Sequence, residues 1–112
     1  MSAKPDEKER LRHIIDAIGR IKRFTEGMNY QDFAKDEVTQ FAIIKNFEII
    51  GEASYQLTDE LKSANPQVEW QKIMAFRHIL VHDYYKINLE IVWKAKENKL
   101  DDLRSQIEHI LR

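Results

Sequence analysis

Four side chains able to bind an anion or trade a proton fall within eight residues: Arg77, His78, His82 and Tyr84, in the run Arg-His-Ile-Leu-Val-His-Asp-Tyr. A guanidinium keeps its charge and donates from a rigid fork, whereas a histidine changes charge near neutral pH. Projected on a helix, Arg77 lies between Ile73, Leu80 and Val81, on the face that should be buried. A buried guanidinium is costly unless paired. Arg77 is therefore either pinned by Glu48 or Glu52 of a neighbouring helix for structural reasons, or held in place to do chemistry. His82 falls about 140° round from Arg77 if the helix continues, and Tyr84, seven residues on, returns to the arginine's side. Arg77 and His82 can work together only if the helix ends near Val81, or if one of them comes from another subunit. The bare pattern Arg-x4-His-x-Tyr is short, and a histidine at a helix end is ordinarily a cap on the helix dipole.

His78 and His82 also have the i, i+4 spacing that puts two metal ligands on one helical face. The chain has no cysteine, no third histidine lies nearby, and Asp83 points elsewhere on a helix, so no metal site is expected. His13 and His109 lie on charged segments and read as surface residues. No phosphate-binding glycine loop, nucleophile elbow or His-Glu-x-x-His motif occurs, and no cofactor is expected.

The elements that must position these residues read as helices throughout. Three glycines and two prolines in 112 residues suit long helices with few turns. Leu11, Ile14, Ile15, Ile18 and Ile21 predict a first helix from about Asp6 to Glu26, stopped at Gly27, and Asn29 to Asp32 predict a turn or short helical piece. A second helix, the longest, is expected from about Asp36 to Ala64, with Ile43, Phe47, Ile50, Ser54, Leu57 and Leu61 as its buried stripe. Asn65-Pro66 ends it. Val38, Phe41 and Tyr55 fall on the opposite side with Glu48 and Glu52, which suggests a partner surface or a cleft wall. A third helix starts near Val68 or Glu69, turns Trp70, Ile73, Met74, Leu80 and Val81 inward, and gives out around His82 to Tyr85. Asn88 caps a fourth, in which Leu89, Trp93, Leu100, Leu103, Ile107 and Ile110 recur and only Lys96 interrupts. No segment alternates with period two. The expectation is an all-α protein, an antiparallel bundle of four to five helices, forming a single domain over residues 1–112.

Composition narrows the function classes. At 43% hydrophobic and 33% charged residues the chain is globular rather than disordered. A core of this size gains from association with a copy or a partner. The absence of cysteine excludes disulfides and thiolate chemistry, and fits a reducing cytoplasm. Met1 to Glu7 carry no apolar stretch of signal-peptide length, and no run of residues is long and apolar enough to span a membrane. Eighteen Lys and Arg against nineteen Asp and Glu leave a net charge of −1, so any nucleic-acid activity must sit in a local cleft rather than on a basic surface.

The run from Arg77 to Tyr84 resembles the Arg-x4-His-x-Tyr signature of HEPN-domain toxins of the HepT family. The likeness extends, in order and spacing, to Ile49-Ile50-Gly51-Glu52-Ala53, to Pro66 through Trp70, and to Asn88 through Trp93, covering roughly Asp6 to the end. Members of that family generally carry a polar residue, often asparagine, after the arginine, where this chain has His78.

The resemblance implies a HEPN-like bundle that forms a homodimer, with the two motifs facing each other in a cleft at the interface. It implies metal-independent endoribonuclease activity as the toxin of a toxin–antitoxin system. It also implies a nucleotidyltransferase antitoxin that attaches AMP to the motif tyrosine. Carried over residue by residue, Arg77 and His82 are catalytic, Tyr84 is a supporting residue and the AMPylation site, and His78 and Glu52 are supporting residues. The chemistry suits these types: His82 can pass a proton as a ribose 2′-hydroxyl attacks the adjacent phosphorus, and Arg77 can stabilise the charge that builds there. Tyr84 would position the phosphate or stack on a base. AMP on Tyr84 would add charge and bulk beside the phosphate and so block RNA directly. Two other readings fit the same residues. One is a non-catalytic nucleotide-binding subunit of a two-component nucleotidyltransferase, and the other is a dimeric helical adaptor using the Val38, Phe41 and Tyr55 face.

Overall fold

A computed structural model describes residues 5–112; Met1 to Lys4, the start of the stretch read for a signal sequence, lie outside the described residues. The described residues form seven α-helices and one 3₁₀ turn, packed antiparallel, with no strand. The helices are α1 (Pro5–Phe24), α2 (Tyr30–Lys35), α3 (Glu37–Gln56), α4 (Asp59–Ala64), α5 (Trp70–His82), α6 (Leu89–Asn98) and α7 (Leu100–Leu111), with the 3₁₀ turn Tyr84–Lys86 after α5. Among these residues no helix is long and apolar enough to cross a membrane.

α1 opens on Pro5, whose missing N–H costs nothing at a first helical position, with Asp6 and Glu7 in the first turn and Lys22 and Arg23 in the last. Leu11, Ile14, Ala17, Ile18 and Ile21 are all fully buried along it. The chain leaves α1 through Gly27 at φ 77°, a left-handed conformation that favours glycine. Asn29 then caps α2 in a reciprocal box with Asp32.

α3 is the central element, lying between α1 and α5, while α7 packs on α1 and α6 lies beside α2. Ile43, Phe47, Ile50, Leu57 and Leu61 join Trp93, Leu103 and Ile107 in one core. Val38, Phe41 and Tyr55 are 81%, 63% and 62% exposed, so the second face expected for this helix is a free surface.

Three expectations for the elements are corrected. The long second helix is two helices: Leu57 and Thr58 are extended, and Thr58 caps α4 through its hydroxyl on the Leu61 N–H. The same Thr58 donates its hydroxyl and its N–H to the buried Glu7 carboxylate of α1, and these tertiary bonds hold the break open. The fourth helix bends at Lys99, where φ is −116° although helical hydrogen bonds pass through, from Lys99 N–H to Ala95 and from Leu103 N–H to Lys99. Val81, expected inward, is 36% exposed. Lys96, the interruption in the fourth series, lays its ammonium 4.4 Å from the centre of the Trp93 ring, so it covers the core rather than entering it.

Candidate functional site

Arg77 sits where α5 comes closest to α3. Gly51 makes that approach possible: a Cβ built there would lie 2.1 Å from the Arg77 Cβ and 2.6 Å from its Cγ. With nothing but hydrogen at that point, the arginine runs across the α3 backbone and turns its guanidinium toward the free side of the helix. Nη2 then donates to the Glu52 Oε2 at 2.7 Å, and the other carboxylate oxygen accepts from Gln56 at 3.1 Å. The Tyr55 ring centre lies 5.9 Å from the guanidinium carbon. The Arg77 side chain is 28% exposed, yet its Nε is buried and has no partner. A buried guanidinium N–H without a partner is an unsatisfied polar group, uncommon in folded chains.

Of the two carboxylates expected near the arginine, Glu52 is the one that pairs with it. Glu48 shares the same depression of about 380 Å³ without touching it in an ion pair. That depression is closed by Arg10 and His13 of α1, Lys45 of α3 and Val81 of α5. Three fixed cations (Arg10, Lys45 and Arg77) face two carboxylates there, a local positive balance in a chain whose total charge is slightly negative. Arg10, His13 and Lys45 were not legible as site residues. They come from distant or unmotivated positions, and only the packing of α1 against α3 brings the first two to the arginine.

Tyr84 lies elsewhere in the same molecule. It is 67% exposed on the 3₁₀ turn and walls a second depression with Phe41, Ile44 and Gln40 of α3, Leu80 and Val81 of α5, and Ile87 and Leu89 beyond. Lys45, Glu48 and Val81 line both depressions, so the two are neighbours along one face.

His82 is the last residue of α5, so the helix does not end at Val81 and the histidine keeps its place about 140° from Arg77. It lines neither depression. Its ring centre lies 4.5 Å from that of His78, one turn back, with the planes tilted by 46°, and both are exposed. Within one copy of the chain Arg77, His82 and Tyr84 therefore line no common depression. Among the described residues no three potential metal-binding side chains are grouped.

The Ribonuclease HepT-like family matches residues 14–110 of this chain. The chain is 33% identical over 107 residues to a Thermococcus cleftensis protein named "Probable ribonuclease HepT", covering 96% of this chain and 97% of that one. It is 36% identical over 109 residues to a Methanocaldococcus jannaschii protein named "Putative RNase MJ0127", covering 97% and 90%. A Caldanaerobacter subterraneus protein, "Putative RNase TTE0752", is 31% identical over 102 residues, 91% of each chain. No solved structure matches the chain.

Proposed function

The chain belongs to the ribonuclease HepT-like family, and from that membership we propose that it is a metal-independent endoribonuclease toxin acting as a homodimer in the cytoplasm. The observation that carries the reading is Arg77, half-buried over Gly51, tethered through one nitrogen to Glu52 and left with an unpartnered Nε. A guanidinium held in this way is already oriented before substrate arrives, so little rotamer freedom is lost when a phosphate binds.

In the proposed reaction Arg77 grips the non-bridging oxygens of the scissile phosphate. His82 takes the proton from the 2′-hydroxyl as that oxygen bonds to phosphorus, and a proton returns to the 5′-oxygen as its bond to phosphorus breaks. The products are a 2′,3′-cyclic phosphate end and a 5′-hydroxyl end. Each step redistributes protons and one phosphodiester bond, so the chain's own acid–base and cationic groups are sufficient. Glu52 positions Arg77, His78 supports the His82 ring by contact along one face of α5, and Tyr84 offers a ring to a base or a hydroxyl to the phosphate. Tyr84 is also the proposed acceptor of AMP from a nucleotidyltransferase antitoxin. At 67% exposure its hydroxyl is open to such a partner, and the added phosphodiester would place negative charge and bulk in the RNA path.

A second reading draws on the separation of Arg77 from His82 within one chain. A cleft that grips phosphate apart from the motif histidine suits the nucleotide-binding subunit of a two-component nucleotidyltransferase. Induced expression of wild type and His82→Ala, with growth scored and RNA ends sequenced, separates the two. Growth arrest and new cyclic-phosphate ends with the wild type alone support the ribonuclease. Identical behaviour of two folded proteins moves the assignment to the binding subunit.

A further inference from the structure

Cleavage of an RNA strand by its own 2′-hydroxyl needs two proton transfers, one from the hydroxyl that attacks and one to the 5′-oxygen that leaves. The attacking and leaving oxygens stand roughly in line on opposite sides of phosphorus, so two groups serve the reaction better than one. The scheme above gives the first transfer to His82 and leaves the second without a donor.

The depression that holds Arg77 contains a group of the right kind. Of the four histidines in the chain, His13 alone lines it. The charged side chains around His13 there are Arg10 of its own helix, Lys45, Glu48 and Glu52 of α3, and Arg77 of α5. An arginine does not release its proton, a lysine ordinarily keeps its own well above neutral pH, and an ordinary carboxylate has none to give there. Imidazole is the one side-chain type in this set that donates a proton near neutral pH and regains it from water.

The setting of His13 suits that work. Ile14 beside it and Ala17 one turn on are fully buried, so α1 cannot roll without opening the core, and the ring keeps its place at the edge of the depression. Half of the side chain is exposed, which leaves it open to substrate and to solvent protons. Glu9, one turn back on α1, brings its Oε1 only to 3.9 Å from the His13 Nε2, too far for a hydrogen bond to commit that nitrogen. At about 380 Å³ the depression is at the small end of ligand sites, so a phosphate gripped by Arg77 lies close to every wall. His13 comes from α1 and His82 from the end of α5, and the two do not compete for one place.

We propose that His13 is the general acid of the cleavage, giving a ring proton to the 5′-oxygen of a strand whose phosphate Arg77 holds. The proposal rests on the ribonuclease reading and names the donor that reading leaves open. The 2′-oxygen bonds to phosphorus and passes its proton to His82. The bond from phosphorus to the 5′-oxygen breaks, its electron pair stays on that oxygen, and the oxygen takes the proton from His13. After the cyclic phosphate and the 5′-hydroxyl leave, His13 regains a proton from water and His82 returns its own.

The test uses the full chain and two RNA oligonucleotides spanning a cut site mapped with the wild type. One is ordinary RNA, and the other carries sulfur in place of the bridging 5′-oxygen at that site. A thiolate leaves without a proton, so only the first substrate needs an acid. His13→Gln keeps a polar side chain but has no proton to transfer, and circular dichroism checks that it is folded. It should lower kcat on ordinary RNA by about 100-fold or more while KM stays within about three-fold, and it should cut the sulfur substrate within about five-fold of wild type. Loss of the protonated acid sets the alkaline limb of the pH–rate profile, so that limb should vanish in His13→Gln while the acidic limb remains. His13→Arg, which keeps the charge and gives up no proton, should be as slow as His13→Gln on ordinary RNA.

An active His13→Arg would show that only the charge matters and would overturn the acid. Equal defects of His13→Gln on both substrates, or no defect on either, would overturn it as well, and cleavage by the wild type would leave the ribonuclease standing. A wild type that cuts no RNA would overturn both.

Discussion

At the scale of single residues, Arg77 owes its position to a side chain that is missing opposite it. Gly51 is an unfavourable choice inside a helix by about 1 kcal/mol relative to alanine, yet a methyl group there would collide with the stem of Arg77 rather than with a flexible tip. Overpacking at a backbone crossing costs about 1–3 kcal/mol and outweighs the gain in helix propensity. Gly51→Ala is therefore expected to destabilise the protein by up to about 2 kcal/mol in a denaturant titration. It should also reduce RNA cleavage by displacing the guanidinium from Glu52. A variant as stable and active as wild type would show that the crossing is looser than 2.1 Å implies. The importance of Arg77 was legible in the chain, because a charged residue between Ile73 and Leu80 breaks the apolar pattern of its helix. Its partner was narrowed to Glu48 or Glu52, and only the crossing decided for Glu52. Arg10 and His13 carried no such signal, since nothing in α1 marks them as facing an arginine more than sixty residues away.

At the scale of elements, the readable quantities were helix identity and buried face, and the unreadable ones were breaks made by distant partners. Leu57 and Leu61 continue the periodicity of α3, so the apolar pattern passes through the break without a mark. The local mark is Thr58 followed by Asp59 and Glu60, an N-cap with acids in the first turn. That signal is overridden by pattern unless something stabilises the extended pair Leu57 and Thr58. Glu7, 51 residues earlier, does so. Thr58→Ala removes the cap on α4 and a hydroxyl donor to a buried carboxylate. A loss of about 1–2 kcal/mol is expected from the two together, and Thr58→Ser should retain most of it. Equal unfolding midpoints for all three proteins would mean that the break is set by chain packing alone. The bend at Lys99 is equally unmarked in the sequence. Lysine is a good helix former, so nothing local predicts a change of direction, but Lys99 reaches Glu69 while Asp101 pairs with Lys22 of α1.

At the scale of the whole molecule, Glu69 and Asp101 link separate helices, Asp36 caps α3, and all three carboxylates respond to acid. Hydrogen bonds from Lys72 and then Lys99 hold Glu69 below the usual carboxylate range, and a hydrogen bond from Lys22 does the same for Asp101. Asp36, the cap of α3, is lowered by the Thr39 N–H and then by its hydroxyl. A carboxylate whose pKa is lower in the folded chain adds stability that is present above its unfolded value and is lost as pH falls through the folded one. The melting temperature should therefore be insensitive to these groups from pH 7 to about 5 and decline below about pH 4. Asp101→Asn should make that decline shallower, and an unchanged slope would show that the α1–α7 pair adds nothing.

The chain alone determined that the protein is all helical, which faces are buried, and that Arg77 is out of place on its helix, because apolar periodicity and a misplaced charge are local quantities; His82 and Tyr84 stood out only through the family resemblance. Only the tertiary structure decided where helices break and bend, which carboxylate holds Arg77, and that Arg77 and Tyr84 occupy separate depressions of one free face. Those outcomes depend on which segments meet across long sequence separations, and such meetings leave no imprint on the spacing of neighbouring residues.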